Sequence, residues 1–426
     1  MTITAADSPR VMPGLVPAAD LFGEAGTIPV SRRDGAARPA ADPDPAKNSL
    51  AILHVFRAPV GGLFRHVIDL VRGQMAAGHR VGIIADAVTG GARAEAALAE
   101  IAPQMALGIT RVPMSRHLGL SDLAAVRRVA QVIRTSNADI VHGHGAKGGA
   151  YARLAGARAL RAYTPHGGSL HFDPRRPIGF VYLALERALR RRTELILFES
   201  SYARDVYHAR VGTSAAPVQV IHNGVATAEF APVAPTSDAS DVVFVGELRR
   251  LKGVDVLIEA LGLLGAEGRP VSATIVGSGP EAAEFQALAR ARGVAATFPS
   301  VLPAREAFAR GRLLVVPSRA ESLPYIVLEA AAAGMPMLTT DVGGIPEIFG
   351  PGADELLPAG DVASLAAAIR AAVADPAAAQ ASAQALRQRV RAHFSAETMV
   401  AGVLASYRAA LEQRRGRCVM TAAPVP

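Results

Sequence analysis

What most restricts this chain is an alternation, made twice over, of short apolar runs with longer stretches of helical periodicity. The first series begins at Leu50 with AILHVF, then RAPVGG and a helix with apolar residues at Leu63, Val67, Leu70 and Val71. Strands follow at 81–85, 109–113, 140–144, 162–165, 195–199 and 218–222, with helices at 92–101, 122–135, 146–160 and 178–192. A second series has strands at 242–246, 273–277, 296–298, 313–316 and 337–340, and helices at 254–265, 280–292, 305–310 and 322–333. Strands of this kind, buried on both faces, belong to parallel sheets covered by helices. The expected fold is α/β: two doubly wound, Rossmann-like domains facing a cleft, residues 49–230 and 241–393, joined through a proline-rich linker. Ligands of such sheets lie beyond the carboxyl ends of the strands. Residues 1–48 read as a disordered leader without periodicity, 394–415 as a terminal helix and 416–426 as a tail.

At 426 residues, half of them hydrophobic, the chain can fill two cores. One cysteine, Cys418, excludes a disulfide framework, no apolar run reaches the roughly 18 residues of a membrane span, and residues 1–48 lack a signal peptide's core. The expected location is cytoplasmic. Residues 49–222 carry 22 Lys and Arg against 11 Asp and Glu, whereas 223–390 carry 13 against 18. The basic half suits a phosphate-bearing substrate or an anionic membrane surface, and no nucleic-acid module is present to make nucleic acid the partner.

The stretch PSRAESLPYIVLEAAAAGMPMLTTDVGGIPE, from Pro317 to Glu347, concentrates the chemistry. With a helix opening at Ser322, Glu321 and Glu329 fall on nearly the same side, about 12 Å apart along the axis. Glu329 is almost the only charge on an otherwise apolar helix, and a buried carboxylate needs a partner or a ligand. Upstream, GELRRLKG places Gly246, Arg249, Arg250 and Lys252 at a strand-to-helix junction suited to a diphosphate. His166 in TPHGG stands just past a strand, and Gly61 and Gly62 open the first helix, where they form either a phosphate loop or a tight turn. His142 and His144 share a strand face but have no third ligand at useful spacing, so no metal is expected. Asp42-Pro43-Asp44 falls in the leader, and Gly277-Ser278-Gly279 is an isolated fragment of a dinucleotide fingerprint.

Taken in order, GGLFRHV, VHGHGAKGG, TPHGG, IHNGV, VGELRRLKGVDVLIEAL, IVGSGPE, PSRAESLPYIVLEAAAAGMP and DVGGIPE resemble glycosyltransferase family 4, retaining enzymes of GT-B fold. The resemblance covers about residues 50 to 410. It implies a nucleotide-sugar donor held mainly by the second domain, an acceptor held by the first, and a C-terminal helix crossing back. By position, Glu329 matches the residue that binds the ribose hydroxyls and Glu321 the one beside the donor sugar and diphosphate. His166 matches the sugar-contacting histidine and Lys252 the diphosphate lysine. Gly246, Ser322 and Leu323 join the donor side, and Gly61, Gly62 and Lys147 the acceptor or phosphate loop. Glu247 stands where the family carries an arginine, so Arg249 or Arg250 supplies that charge or the diphosphate contacts differ.

The resemblance implies transfer of a hexose, from a UDP- or GDP-sugar and without a cofactor or metal, to a glycan or lipid-linked oligosaccharide in surface polysaccharide synthesis. Retention follows if the leaving phosphate takes the acceptor's proton on the same face of the sugar. Rival readings are a transferase for a soluble sugar or sugar phosphate, an NAD-dependent enzyme using the Gly277 turn, and a silent nucleotide-sugar-binding scaffold. Residues 175–192, apolar with six arginines at the rims, form either a core helix or a face for anionic lipid.

Overall fold

The computed structural model describes residues 49–116, 119–156, 158–167 and 175–422, the last six by backbone only. The leader, with Asp42 and Asp44, and Gly168 lie outside the described residues. Seven strands form the first sheet: β1 (Ala51–Phe56), β2 (Arg80–Asp86), β3 (Ile109–Val112), β4 (Ile140–His144), β5 (Leu160–Thr164), β6 (Leu195–Phe198) and β7 (Val218–Val220). Five form the second: β8 (Ser240–Val245), β9 (Ala273–Val276), β10 (Ala296–Thr297), β11 (Gly311–Val316) and β12 (Met337–Thr339). The orders are β3-β2-β1-β4-β5-β6-β7 and β10-β9-β8-β11-β12, and every pairing is parallel. Each sheet therefore reverses its winding once, between β1 and β4 and between β8 and β11. Those two switch points are where a doubly wound sheet opens a crevice.

Register decides what stands at the first switch point. His54 pairs with His142, and Phe56 with His144, across β1 and β4. Because side chains alternate along a strand, His54, His142 and His144 share one sheet face. The first helix, Gly61–Ala76, covers that face and buries His66 and Gln74 along with Val67, Leu70 and Val71. The C-terminal helix, Ala396–Ala422, returns to the same layer. Its Met399, Val403, Leu404 and Tyr407 pack with Ile52, Leu70, Ile140 and Leu197, so one hydrophobic cluster ties the chain's end to the first sheet.

Three local differences from the sequence reading have physical causes. The helix expected from Ser322 begins at Tyr325, with Pro324 as its N-cap. Proline disfavours helical backbone in the residue before it, so Ser322 and Leu323 remain loop. Glu321 is then outside the helix, and the 12 Å helical spacing to Glu329 does not apply. A helix at Ser201–Arg210, not anticipated, starts where Ser200 Oγ accepts the Ala203 N–H at 3.0 Å. The terminal helix continues past residue 415 to Ala422, anchored upstream where Met399 to Leu411 pack on the first sheet.

Candidate active site

A cleft of about 850 Å³ opens at the two switch points. One wall is the loop after β11. There the Lys252 ammonium donates to both oxygens of Glu321, at 2.7 and 2.9 Å, and Ser318 Oγ donates to Oε1 at 2.7 Å. Backbone crowding holds this loop in place. Gly253 (φ +72°) leaves no room for a side chain, since a Cβ would meet the Pro317 carbonyl at 1.8 Å. At Gly343 (φ +62°) a Cβ would stand 1.9 Å from the Glu321 carbonyl. The GG of DVGGIPE is thus a seat for Glu321's backbone.

Glu329 faces the first helix. Arg65 donates to Glu329 Oε1, Glu229 Oε2 and Asp69 Oδ2, each at 2.6 Å, so three carboxylates share one guanidinium. Burial pushes the Glu329 carboxyl up to about 7; Arg65 opposes the shift and the charges of Glu229 and Asp69 add to it. Burial also raises Asp69. Burial alone would lower the Arg65 guanidinium, but its three acids more than offset that and raise it. Further bonds cross between the layers: Ser322 Oγ donates to Glu199 at 2.7 Å, and Asn223 Nδ2 to the Leu323 carbonyl at 2.9 Å. Glu347 accepts the backbone N–H groups of Ser201 and Tyr202, both at 2.9 Å, and pairs with His222.

Among the described residues, five imidazoles lie beneath the cleft. His54 Nδ1 meets His144 Nε2 at 2.9 Å, His144 Nδ1 meets His166 Nε2 at 3.1 Å, and His54 Nε2 meets Gln74 Oε1 at 2.8 Å. His142 bonds Tyr407 and Thr164, and His66 Nδ1 bonds Asn223 Oδ1 at 2.9 Å. Burial, which disfavours the charged form, lowers His54 to about 4, His66 and His166 to about 3, and His142 and His144 well below the ordinary value. The cluster is neutral at physiological pH. His166 has φ +52°, left-handed backbone that costs a non-glycine residue on the order of 1 kcal/mol and recurs at functional sites.

The structure brings Glu321, Glu329, Lys252, His166, Gly246, Ser322, Leu323, Gly61 and Gly62 to the same cleft. It does not bring Arg249, Arg250 or Lys147. Arg250 turns outward to Glu284 and Asp255, and Arg249 lies 3.7 Å from Glu247. Lys147 pairs with Asp122 at 2.6 Å beside a separate small groove. Among the described residues, the cleft's cations are instead Lys252, Arg65, Arg93 and Arg305. The Gly277 turn has a packing explanation, because a Cβ at Gly279 would strike the Leu248 backbone at 2.3 Å. Arg65, His66 and Asn223 sit inside GGLFRHV and IHNGV, but no local pattern marks them and only the tertiary fold shows what they face. A larger groove of about 990 Å³ behind the second sheet is lined mostly by alanine and other apolar groups and carries no comparable constellation.

Comparison with known proteins bears on the fold and the family. A family model described as "Glycosyltransferase Family 4" matches residues 60–229, and one described as "Glycosyl transferases group 1" matches residues 239–375. A glycogen synthase of Mycobacterium tuberculosis is 31% identical over 343 residues, 73% of this chain and 82% of that one. A GDP-mannose-dependent alpha-(1-6)-phosphatidylinositol monomannoside mannosyltransferase of Mycolicibacterium smegmatis is 32% identical over 225 residues, 47% of this chain and 56% of that one. Among solved structures, Anabaena HepE in complex with UDP superposes with a TM-score of 0.68 at 18% identity, covering 84% of this chain and 100% of that one.

Proposed function

The chain belongs to glycosyltransferase family 4 and is a glycosyltransferase of GT-B type, and from that premise we propose that it transfers a hexose, with retention, from a nucleotide sugar to a glycan or lipid-linked acceptor at the cytoplasmic face of a membrane. The observation that carries the reading is the convergence of Glu321 with Lys252, and of Glu329 with His166, on one cleft. A nucleoside diphosphate sugar is long and negatively charged at its middle. Its diphosphate would meet Lys252, its ribose diol would donate to Glu329 Oε2, and its sugar would lie between Glu321 and His166. Glu329 Oε1 already accepts from Arg65.

Cleaving the sugar–phosphate bond leaves charge on the diphosphate. A fixed ammonium stabilises that charge more as it develops than in the ground state, and this difference is what accelerates the step. The departing phosphate oxygen would then take the acceptor's proton on the same face of the sugar. UDP or GDP is the expected carrier; one relative's name specifies GDP-mannose.

For the acceptor side, the helix Pro177–Arg190 exposes Ile178, Phe180 and Val181 at 50, 60 and 48% beside the exposed Arg175 and Arg176, while Leu183 and Leu189 pack inward. An apolar strip edged by arginines suits an anionic bilayer. Flotation with phosphatidylglycerol vesicles should therefore fall when Phe180 and Val181 become Ser; unchanged flotation would remove the membrane from the proposal.

Calorimetric titration with UDP-, GDP- and ADP-sugars tests the donor site. One carrier should bind. Glu329→Ala should weaken it at least tenfold and Lys252→Ala should cost at least a hundredfold in transfer, with Arg249→Ala and Arg250→Ala near neutral. Binding of NAD in place of any nucleotide sugar would overturn the reading.

A further inference from the structure

The imidazole cluster holds more donor capacity than a sugar contact requires. Among the described residues, one ligand atom from each of His66, His144 and His166 lies within 4.8 Å of the other two. The hydrogen-bond network fixes which nitrogens carry lone pairs. Asn223 Nδ2 is committed to the Leu323 carbonyl, so its Oδ1 faces His66 Nδ1, which must be the N–H. His66 Nε2 then holds a lone pair, buried and without a partner. Gln74 Oε1 accepts from His54 Nε2, so His54 Nδ1 accepts from His144 Nε2, and His144 Nδ1 keeps its lone pair. Two of the three nitrogens are therefore poised as ligands by partners on their opposite ring nitrogens, the arrangement that orients metal-binding histidines. The third, His166 Nε2, donates to His144 across 3.1 Å. Shifting its proton to Nδ1 frees it without net proton release.

We propose that His66, His144 and His166 form a three-imidazole site for a borderline divalent cation of the zinc class, with the fourth position open to the cleft. Nitrogens on a tetrahedral zinc stand about 3.3 Å apart, so the 3.1 Å pair is already spaced for it and His66 needs a shift on the order of 1 Å. Imidazole ligands select zinc, copper and nickel over magnesium or calcium. The negative charge comes from Glu199, which is 2% exposed and close enough to act on His66. The alternative trio, His54, His142 and His144, is as compact but spent: His142 uses both nitrogens on Tyr407 and Thr164, and His54 both on Gln74 and His144. A cation here would occupy His166 and withdraw it from the cleft, so loading would oppose sugar transfer reversibly.

The test uses the full chain, stripped with chelator and dialysed against zinc chloride. One zinc per chain is expected. His66→Ala and His144→Ala should each weaken binding at least tenfold, with His222→Ala unchanged. Since either buried substitution can unfold the protein, copper(II) loaded into the wild type provides a second readout, with pulsed paramagnetic resonance counting its imidazole ligands. Two or three imidazoles support the site. No stoichiometric zinc, one imidazole or none, or zinc retained by folded His66→Ala and His144→Ala variants would overturn it. None of these readings depends on transfer activity, so the site can fail while the donor assignment stands, or the reverse.

Discussion

Two buried polar clusters meet at the cleft, and they accommodate polarity in opposite ways. Under the first sheet's switch point, five imidazoles bond one another and a few neutral partners, the His66 Nε2 lone pair excepted, and burial keeps them uncharged. At the opposite wall, one guanidinium holds three carboxylates, and burial pushes one of those acids up to about 7. A neutral network survives desolvation as long as every proton has an acceptor. A charged one survives only while its ions remain paired. The two clusters should therefore respond to pH with opposite signs.

The largest expected effect comes from the imidazoles. In the unfolded chain histidine titrates near 6.5, whereas folded His54 holds out to about 4 and His66 and His166 to about 3. The unfolded state binds more protons across that window, so stability present above 6.5 is lost as pH falls toward 4. Urea titrations at intervals from pH 7 to 4 should show a loss on the order of 10 kcal/mol across His54, His66 and His166 together. A flat profile would mean that the cluster is already solvated.

Next is Arg65→Met, which leaves Asp69, Glu229 and Glu329 facing one another without their shared cation. Removing one partner from a buried ion network costs about 3 kcal/mol or more. The loss should be largest at pH 8 and shrink at pH 5, where the acids can take up protons. A loss independent of pH would assign Arg65 a packing role instead.

A third substitution acts on the wall itself. Gly343→Ala places a Cβ 1.9 Å from the Glu321 carbonyl at φ +62°, so the loop must move. The expected cost is about 2 kcal/mol, with nucleotide-sugar affinity falling more than stability alone accounts for. Full affinity in the variant would show that Glu321 does not depend on that seat.

How much of this was legible beforehand follows the distance between partners in the chain. Alternating strands and helices are written in local patterns, so both sheets and the terminal helix could be read, whereas the return of that helix to the first sheet followed only from the family resemblance. Pro324 was also in plain view, but the run of helix-favouring residues after it obscured its effect on Ser322 and Leu323. His142 and His144 stand in the sequence as a pair with no third ligand at useful spacing. The missing imidazoles arrive from β1, the first helix and the end of β5, through parallel register and helix packing that no local spacing records. Glu329 visibly needed a partner. That partner, Arg65, is 264 residues away in sequence.

The smallest predicted effect separates the two clusters most cleanly. Glu329 titrates at 4.5 when unfolded and about 7 when folded, so between those values the folded chain binds the extra proton. Stability from this group is fully present below pH 4.5 and is lost as pH rises through 7, the reverse of the imidazole term. Glu329→Gln removes the titration while Arg65 keeps Asp69 and Glu229. The variant should gain stability over the wild type at pH 8 and nothing at pH 4.5, so its stability should climb more steeply from acid to alkaline pH. If the slope is unchanged, the proton rests on Asp69, whose carboxyl burial also raises, and the same titration of Asp69→Asn would show it.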